Sequence, residues 1–213
     1  VKEKDFFYLN NILHYKISGK ESLSFDFLKG RLFNRLKRIE HESLIKKAIG
    51  KNKAKLKIFD ATAGSLIDTI IFLKLGHKVV ACEQSKILIK LLKDAIERAK
   101  EEYSFFKNLV LINEDAANVI ELHQDSDIFY FDPMFNNTKR NIKRSGTLNK
   151  ISNILSHEKL EDTSEDIFNY MQTSNYKKII VKRPIKSKPL QEKINYQVKG
   201  KAIRFDIYVK NSY

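Results

Sequence analysis

The sequence predicts a doubly wound α/β fold, and three observations carry that prediction. Short β-branched or aromatic runs recur through the middle of the chain, each stopped by a polar or turn residue. Stretches of helical periodicity separate them. The runs are nearly continuous in apolar residues rather than alternating, the signature of strands buried on both faces of a parallel sheet.

In chain order the expected strands are "LKIFDA" (56–61), "HKVVACE" (77–83), "NLVLIN" (108–113), "DIFYFDP" (127–133) and "YKKIIVKRP" (176–184). Helices are expected over 65–75, 85–102, 115–122 and 164–172. In the second of these Ile87, Leu88, Leu91, Leu92, Ala95 and Ile96 form an apolar face behind Ser85, a suitable N-cap. After Pro184 the pattern changes to "KINYQVKG" and "KAIRFDIYVK", read as an antiparallel pair turning at Lys199-Gly200-Lys201. These strands complete a mostly parallel seven-stranded sheet. Ahead of residue 56, "LSFDFL" reads as a short strand and 29–38 and 40–49 as two basic helices. The expected division is therefore a basic N-terminal extension at 1–55 and one main domain at 56–213. The polar stretch 136–161 reads as a long loop with a helical turn, of the kind that covers a substrate.

Composition narrows the function. The net charge is +14, but residues 56–134 carry 9 Lys/Arg against 13 Asp/Glu, whereas 1–55 carry 14 against 6 and 135–213 carry 17 against 7. Basic flanks around an acidic middle favour a polyanion, with nucleic acid the leading partner. No apolar run is long enough for a membrane span and no charged-then-apolar leader is present, so the expected address is the cytosol. The single cysteine, Cys82, excludes an internal disulfide, and its apolar neighbours suit a core residue better than a nucleophile. The five histidines show no metal-ligand spacing, so no metal is expected.

Ligands of open parallel sheets bind at the carboxyl ends of the strands. The first such end reads "DATAG". A dinucleotide loop would need G-x-G-x-x-G, but Gly64 is the only glycine here and Asp60 is acidic, which favours a ligand neutral or cationic at this point. Glu83, 23 residues beyond Asp60, is placed to accept both hydroxyls of a ribose. Together these residues point to S-adenosylmethionine (SAM), whose sulfonium and amino groups prefer acidic surroundings. Asp115 either accepts from the adenine amine or caps the helix that follows. The fourth strand ends in "DPMF": Asp132 and the Pro133 carbonyl are acceptors for an exocyclic amine, and Phe135 is a stacking face for a flipped base. Such an amine is a poor nucleophile, and acceptors that localise its lone pair and aim it at a methyl group supply catalysis without a strong base.

"DATAG", Glu83, "YFDPMF", "IIVKRP" and "RFDIY", in this order and spacing, resemble the bacterial 16S rRNA guanine-N2 methyltransferase J family over nearly the whole chain, about Phe25 to Tyr208. The resemblance implies a Rossmann-like class I methyltransferase that uses SAM to methylate the 2-amino group of a guanosine near the 3′ end of 16S rRNA, free or in the 30S subunit. It implies cofactor contacts at Ile67, Asp68, Glu83, Gln84, Asp115, Ala116 and Asp132. Where the family reads D-A-T-A-G-L-G-R-D, this chain reads "DATAGSLID", with Leu66 for the second glycine and Ile67 for the arginine. Lys182 and Arg183 are either phosphate contacts beside the target base or a solvated strand end. Arg31, Arg35, Lys37 and Arg38, with Lys139 and Arg140 in "TKRNIKR", are candidate grips on rRNA. Arg204 and Asp206 share a strand face, as a structural pair or as substrate contacts. Two other readings compete: an adenine-N6 methyltransferase on RNA or DNA, and a non-catalytic rRNA-binding assembly factor that kept the fold.

Overall fold

A computed structural model describes residues 3–50, 54–133 and 146–210. Ten strands form two sheets. β1 (Phe6–Leu9), β2 (Ile12–Ser18) and β3 (Glu21–Leu23) make an antiparallel N-terminal sheet. β4 (Lys57–Asp60), β5 (Lys78–Cys82), β6 (Leu109–Ile112), β7 (Ile128–Phe131), β8 (Lys178–Pro184), β9 (Tyr196–Lys199) and β10 (Ile203–Val209) make the main one. Its order is β6-β5-β4-β7-β8-β10-β9, with β10 antiparallel to both neighbours and the five strands from β6 to β8 parallel. The strand order reverses at β4 and β7, so the ends of those two strands open the cleft where ligands of such sheets bind.

Both faces of this sheet are covered, which is why its strands carry unbroken apolar runs. Ile58, Tyr130, Ile180, Phe205 and Ile207 pack on one side against α3 (Ile67–Lys74) and α4 (Lys86–Ala99). Phe59, Phe129, Phe131, Ile179 and Val181 pack on the other against α5 (Ala116–Val119) and α7 (Ser164–Thr173). α4 begins where Ser85 Oγ accepts from the Leu88 amide, and its buried face is the expected one, with Ile96 partly exposed.

The N-terminal residues build more than one short strand. Of "LSFDFL" only Leu23 is in a strand, and two earlier strands precede it, because "FFYL" and "ILHYKIS" pair through a turn at Asn10 and Asn11, both at positive φ. The two expected helices are present as α1 (Gly30–Lys37) and α2 (Ser43–Ile49). Leu13, Tyr15, Leu23, Phe25 and Phe27 share one hydrophobic core with α4 and the main sheet, and Arg98 of α4 donates to the Phe25 carbonyl at 2.5 Å. The N-terminal segment and the main sheet are thus packed as one unit around that core.

The expected loop at 136–161 contains a 12-residue helix, α6 (Gly146–His157). Its apolar stripe, Ile151, Ile154 and Leu155, is narrow and lies among Asn, Ser and Lys, which masked the period; it closes against β2 and β3, and Lys150 Nζ donates to the Ser22 carbonyl at 2.7 Å. Among the described residues no helix is long and apolar enough to cross a membrane.

The Arg204 and Asp206 question resolves toward structure. Both are buried; Arg204 Nε and Nη2 donate to Asp206 at 2.8 and 3.1 Å, and Nη1 donates to the Pro184 and Ile185 carbonyls. Removing one partner of a buried pair leaves an uncompensated charge, so Asp206→Ala is expected to lose about 3–5 kcal/mol of stability. Urea denaturation measures this loss.

Candidate active site

Backbone hydrogen bonds lay the first loop across the switch point. The Ala61 amide donates to the Tyr130 carbonyl, Ala63 to Cys82 and Leu66 to Ala63, at 3.0, 2.9 and 2.8 Å. Leu66 lies in the left-handed region at φ 60°, a conformation that costs a non-glycine residue about 1–2 kcal/mol. The family pattern carries glycine here. Leu66 is fully buried, and that burial, worth about 1.5–3 kcal/mol, offsets the strain. Leu66 thus holds a left-handed conformation that glycine adopts without strain.

Two buried carboxyls organise the loops at the ends of β4 and β5. Asp60 is buried at the end of β4, with its oxygens accepting from the Thr62 amide and the Thr69 hydroxyl. Glu83, after β5, accepts from the Gly64 amide at 3.0 Å and the Ser85 amide at 2.8 Å, joining the first and second loops. Burial pushes each carboxyl up to about 7, against those hydrogen bonds. Gln84 is half-buried beside Asn113, whose amide donates to the Glu83 and Gln84 carbonyls. Asp115 is the N-cap of α5, accepting from the Ala117 amide at 3.0 Å, and Ala116 is buried behind it. Ile67 is 39% exposed at the start of α3.

The second half of the site is a charge bridge. Lys182 on β8 lies level with Asp132, as the pairing of Phe131 with Val181 requires. Its Nζ donates to Asp68 Oδ2 at 2.6 Å and to Asp132 Oδ2 at 2.7 Å. Tyr130, on the same face of its strand as Asp132, donates to Asp68 Oδ2 at 2.6 Å. The Asp132 amide donates to Thr62 Oγ1 at 2.7 Å, tying the end of β7 to the first loop. Burial acts to raise Asp68, but the charge and hydrogen bond of Lys182 and the Tyr130 hydroxyl outweigh it and hold its carboxyl below the usual range. Asp132 remains 34% exposed and faces the opening.

Several expected RNA contacts lie elsewhere. Lys182 is taken up by two carboxylates, and Arg183 is buried with Nη2 donating to the Lys188 carbonyl, because the side chains of β8 turn into the cleft and the core rather than outward. The pair is therefore neither a set of free phosphate contacts nor a solvated strand end. Arg35 forms a two-point pair with Glu42 at 2.8 Å for both bonds, leaving Arg31 exposed on the same helix. Phe135, Lys139 and Arg140 lie outside the described residues. Sequence reasoning missed Thr62, Tyr130 and Thr69; a tyrosine two residues before Asp132 in an otherwise apolar strand was the available signal for one of them.

This sheet order, a glycine-poor acidic first loop, an acid after β5 and Asp-Pro after the fourth parallel strand in sequence define a class I SAM-dependent methyltransferase. A family described as "Putative SAM-dependent methyltransferase" matches residues 8–210. A Francisella tularensis subsp. novicida protein, ribosomal RNA small subunit methyltransferase J, is 33% identical over 97% of this chain and 88% of its own length. The chain belongs to that methyltransferase family. The solved structure of a SAM-dependent methyltransferase from Neisseria gonorrhoeae superposes with TM-score 0.69 at 25% identity, over 93% of this chain and 79% of that one. A T. thermophilus 16S rRNA N2 methyltransferase (RsmC), solved with AdoMet and guanosine, shares the fold at TM-score 0.54 and 15% identity, over 94% of this chain and 47% of that one.

The cofactor is SAM. The residues fit it: Asp60, Glu83 and Asp132 gather three carboxyls at the ends of β4, β5 and β7, a setting suited to a cationic ligand, and a Cβ on Gly64, itself at φ 53°, would meet only the Thr62 carbonyl at 3.8 Å, so the loop backbone is open to a close approach. Among the described residues no cluster could hold a metal ion.

These carboxylates give a pH test with two opposite signs. Their folded values near 7 lie above the unfolded ones of 3.8 and 4.5, so the folded apo-protein binds more protons between those limits. Their contribution to apo stability is fully present below the unfolded values and is lost as pH rises through 7. SAM affinity runs the other way, because a cationic ligand needs them ionised. Between pH 8 and pH 6 calorimetry should show Kd weakening by about tenfold for each group that must ionise, while Glu83→Gln flattens the dependence.

Proposed function

We propose that this chain methylates the exocyclic N2 amine of a guanosine near the 3′ end of 16S rRNA, as free rRNA or in the 30S subunit, and therefore works in the cytoplasm. The observation that carries the reading is the acceptor pair at the end of β7, the half-buried Asp132 carboxylate and the Pro133 carbonyl, held beside the first loop by the bond from the Asp132 amide to Thr62. Support comes from the relative named ribosomal RNA small subunit methyltransferase J.

In this reading Asp60, Gly64, Ile67, Asp68, Glu83, Gln84, Asp115 and Ala116 line or support the cofactor side. SAM supplies a methyl group on a sulfonium, which leaves as a neutral thioether. Asp132 and the Pro133 carbonyl accept from the amine and hold its lone pair in line with that methyl, and Phe135 stacks on the base. The amine lone pair would form the new C–N bond as the C–S electrons return to the departing thioether, and Asp132 would pass the proton lost from N2 to solvent. The exposed Arg31, with Lys37, Arg38, Lys139 and Arg140, is assigned to the phosphate backbone outside the target nucleotide.

The test offers tritiated SAM and 30S subunits lacking the modification, then maps the label by digestion and mass spectrometry. Label on guanosine N2 is expected. Label on adenosine would select the adenine-N6 reading; subunit binding with no label and no SAM binding would select the assembly factor. Asp132→Ala should lower transfer by at least about a hundredfold, with folding retained in a thermal melt.

A further inference from the structure

The bridge Asp68–Lys182–Asp132 is more elaborate than methyl transfer to an amine requires. An ammonium has three N–H donors. Two of those on Lys182 are used, at 2.6 Å on Asp68 and 2.7 Å on Asp132, and among the described residues the third has no partner. The Lys182 side chain keeps 22% of its surface exposed, and that of Asp132 keeps 34%. Asp132 uses Oδ2 for Lys182, and among the described residues its Oδ1 has no partner. The cleft therefore presents, side by side, an acceptor edge and a donor locked to it.

Resting on the guanine reading above, we infer that Lys182 is a specificity residue that reads the O6 atom of the target base. Guanine presents N2–H and N1–H donors followed by the O6 acceptor along one edge. The two Asp132 oxygens match N2–H and N1–H, and Lys182, held on Oδ2, then lies beside O6. Adenine entering through its N6 amine would turn the N1 lone pair toward a carboxylate oxygen and offer no acceptor to the ammonium. Cytosine would set its N3 lone pair against the same carboxylate oxygen, so it fails at that position alone. Asp68, itself held by the Tyr130 hydroxyl, holds the ammonium from the other side and restrains it from turning to follow a different base.

The test compares kcat/KM on 16S substrate carrying guanine or 2-aminopurine at the labelled nucleotide, for wild type and Lys182→Met. 2-Aminopurine keeps the N2 amine, lacks O6 and carries a lone pair at N1 where guanine has N1–H, so the wild-type preference reports both positions and its change on substituting Lys182 isolates O6. Wild type should favour guanine by about a hundredfold or more, since the analogue leaves polar groups of the site unpaired. Lys182→Met should narrow that preference by about tenfold, the size of one hydrogen bond to a charged group. A Lys182→Met enzyme that is slow but keeps the wild-type preference overturns the inference. Thermal melting and SAM affinity establish that the variant folds. If it does not, wild type alone is compared on guanine and 6-thioguanine, which keeps N1–H and the N2 amine and replaces only O6 with a weaker acceptor: equal kcat/KM overturns the inference and a guanine preference of about tenfold supports it. A wild type that labels no guanosine at all fails the functional reading itself, which is seen before either the analogue or the variant is used.

Discussion

The site depends on one ammonium held between two carboxylates. Without Lys182, Asp68 and Asp132 would face each other across the mouth of a largely buried cleft, and each would resist ionising beside the other. With it, both are anchored to β8, whose pairing with β7 fixes the height of Lys182 relative to Asp132. A bridge of this kind is not an economical source of stability, because desolvating three charges costs several kcal/mol per ion. Its value lies in fixing a pattern of donor and acceptor at the sheet edge before any ligand arrives.

The rest of the architecture serves that edge. β7 is fully buried on both faces, so the strand that carries Asp132 cannot shift without breaking packing with Phe59, Phe72 and Phe168. Thr62 ties the Asp132 amide to the cofactor loop, and Glu83 ties that loop to the N-terminus of α4. Glu158, just beyond α6, accepts from the Ser85 hydroxyl at the same helix end. The chain just beyond α6 is thereby joined to the N-terminus of α4.

Much of this was legible in the sequence, for reasons particular residues make plain. The five parallel strands could be read because burial on both faces leaves no polar alternation, and Ser85 marked the start of α4 because an N-cap acts locally. Asp60, Glu83 and Asp132 could be placed at the cleft from sequence because they close parallel strands, and strand ends are where ligands of such sheets bind. Lys182 was placed at the right edge and given the wrong partner: its pairing with Asp68, 114 residues away in sequence, follows from strand order rather than from any local pattern. The bonds from Tyr130 to Asp68 and from Asp132 to Thr62 are equally long-range. α6 was hidden because only Ile151, Ile154 and Leu155 form its buried stripe, and the N-terminal sheet because an antiparallel turn at Asn10 and Asn11 lacks the expected glycine.

The most direct test of the central claim is a crystal structure with S-adenosylhomocysteine and guanosine bound together. The account predicts the amine edge of the base against Asp132, O6 within hydrogen-bond reach of Lys182 Nζ, and the bridge to Asp68 intact. A base seated with that edge away from Asp132, or a Lys182 that leaves both carboxylates to contact phosphate or solvent, would contradict it.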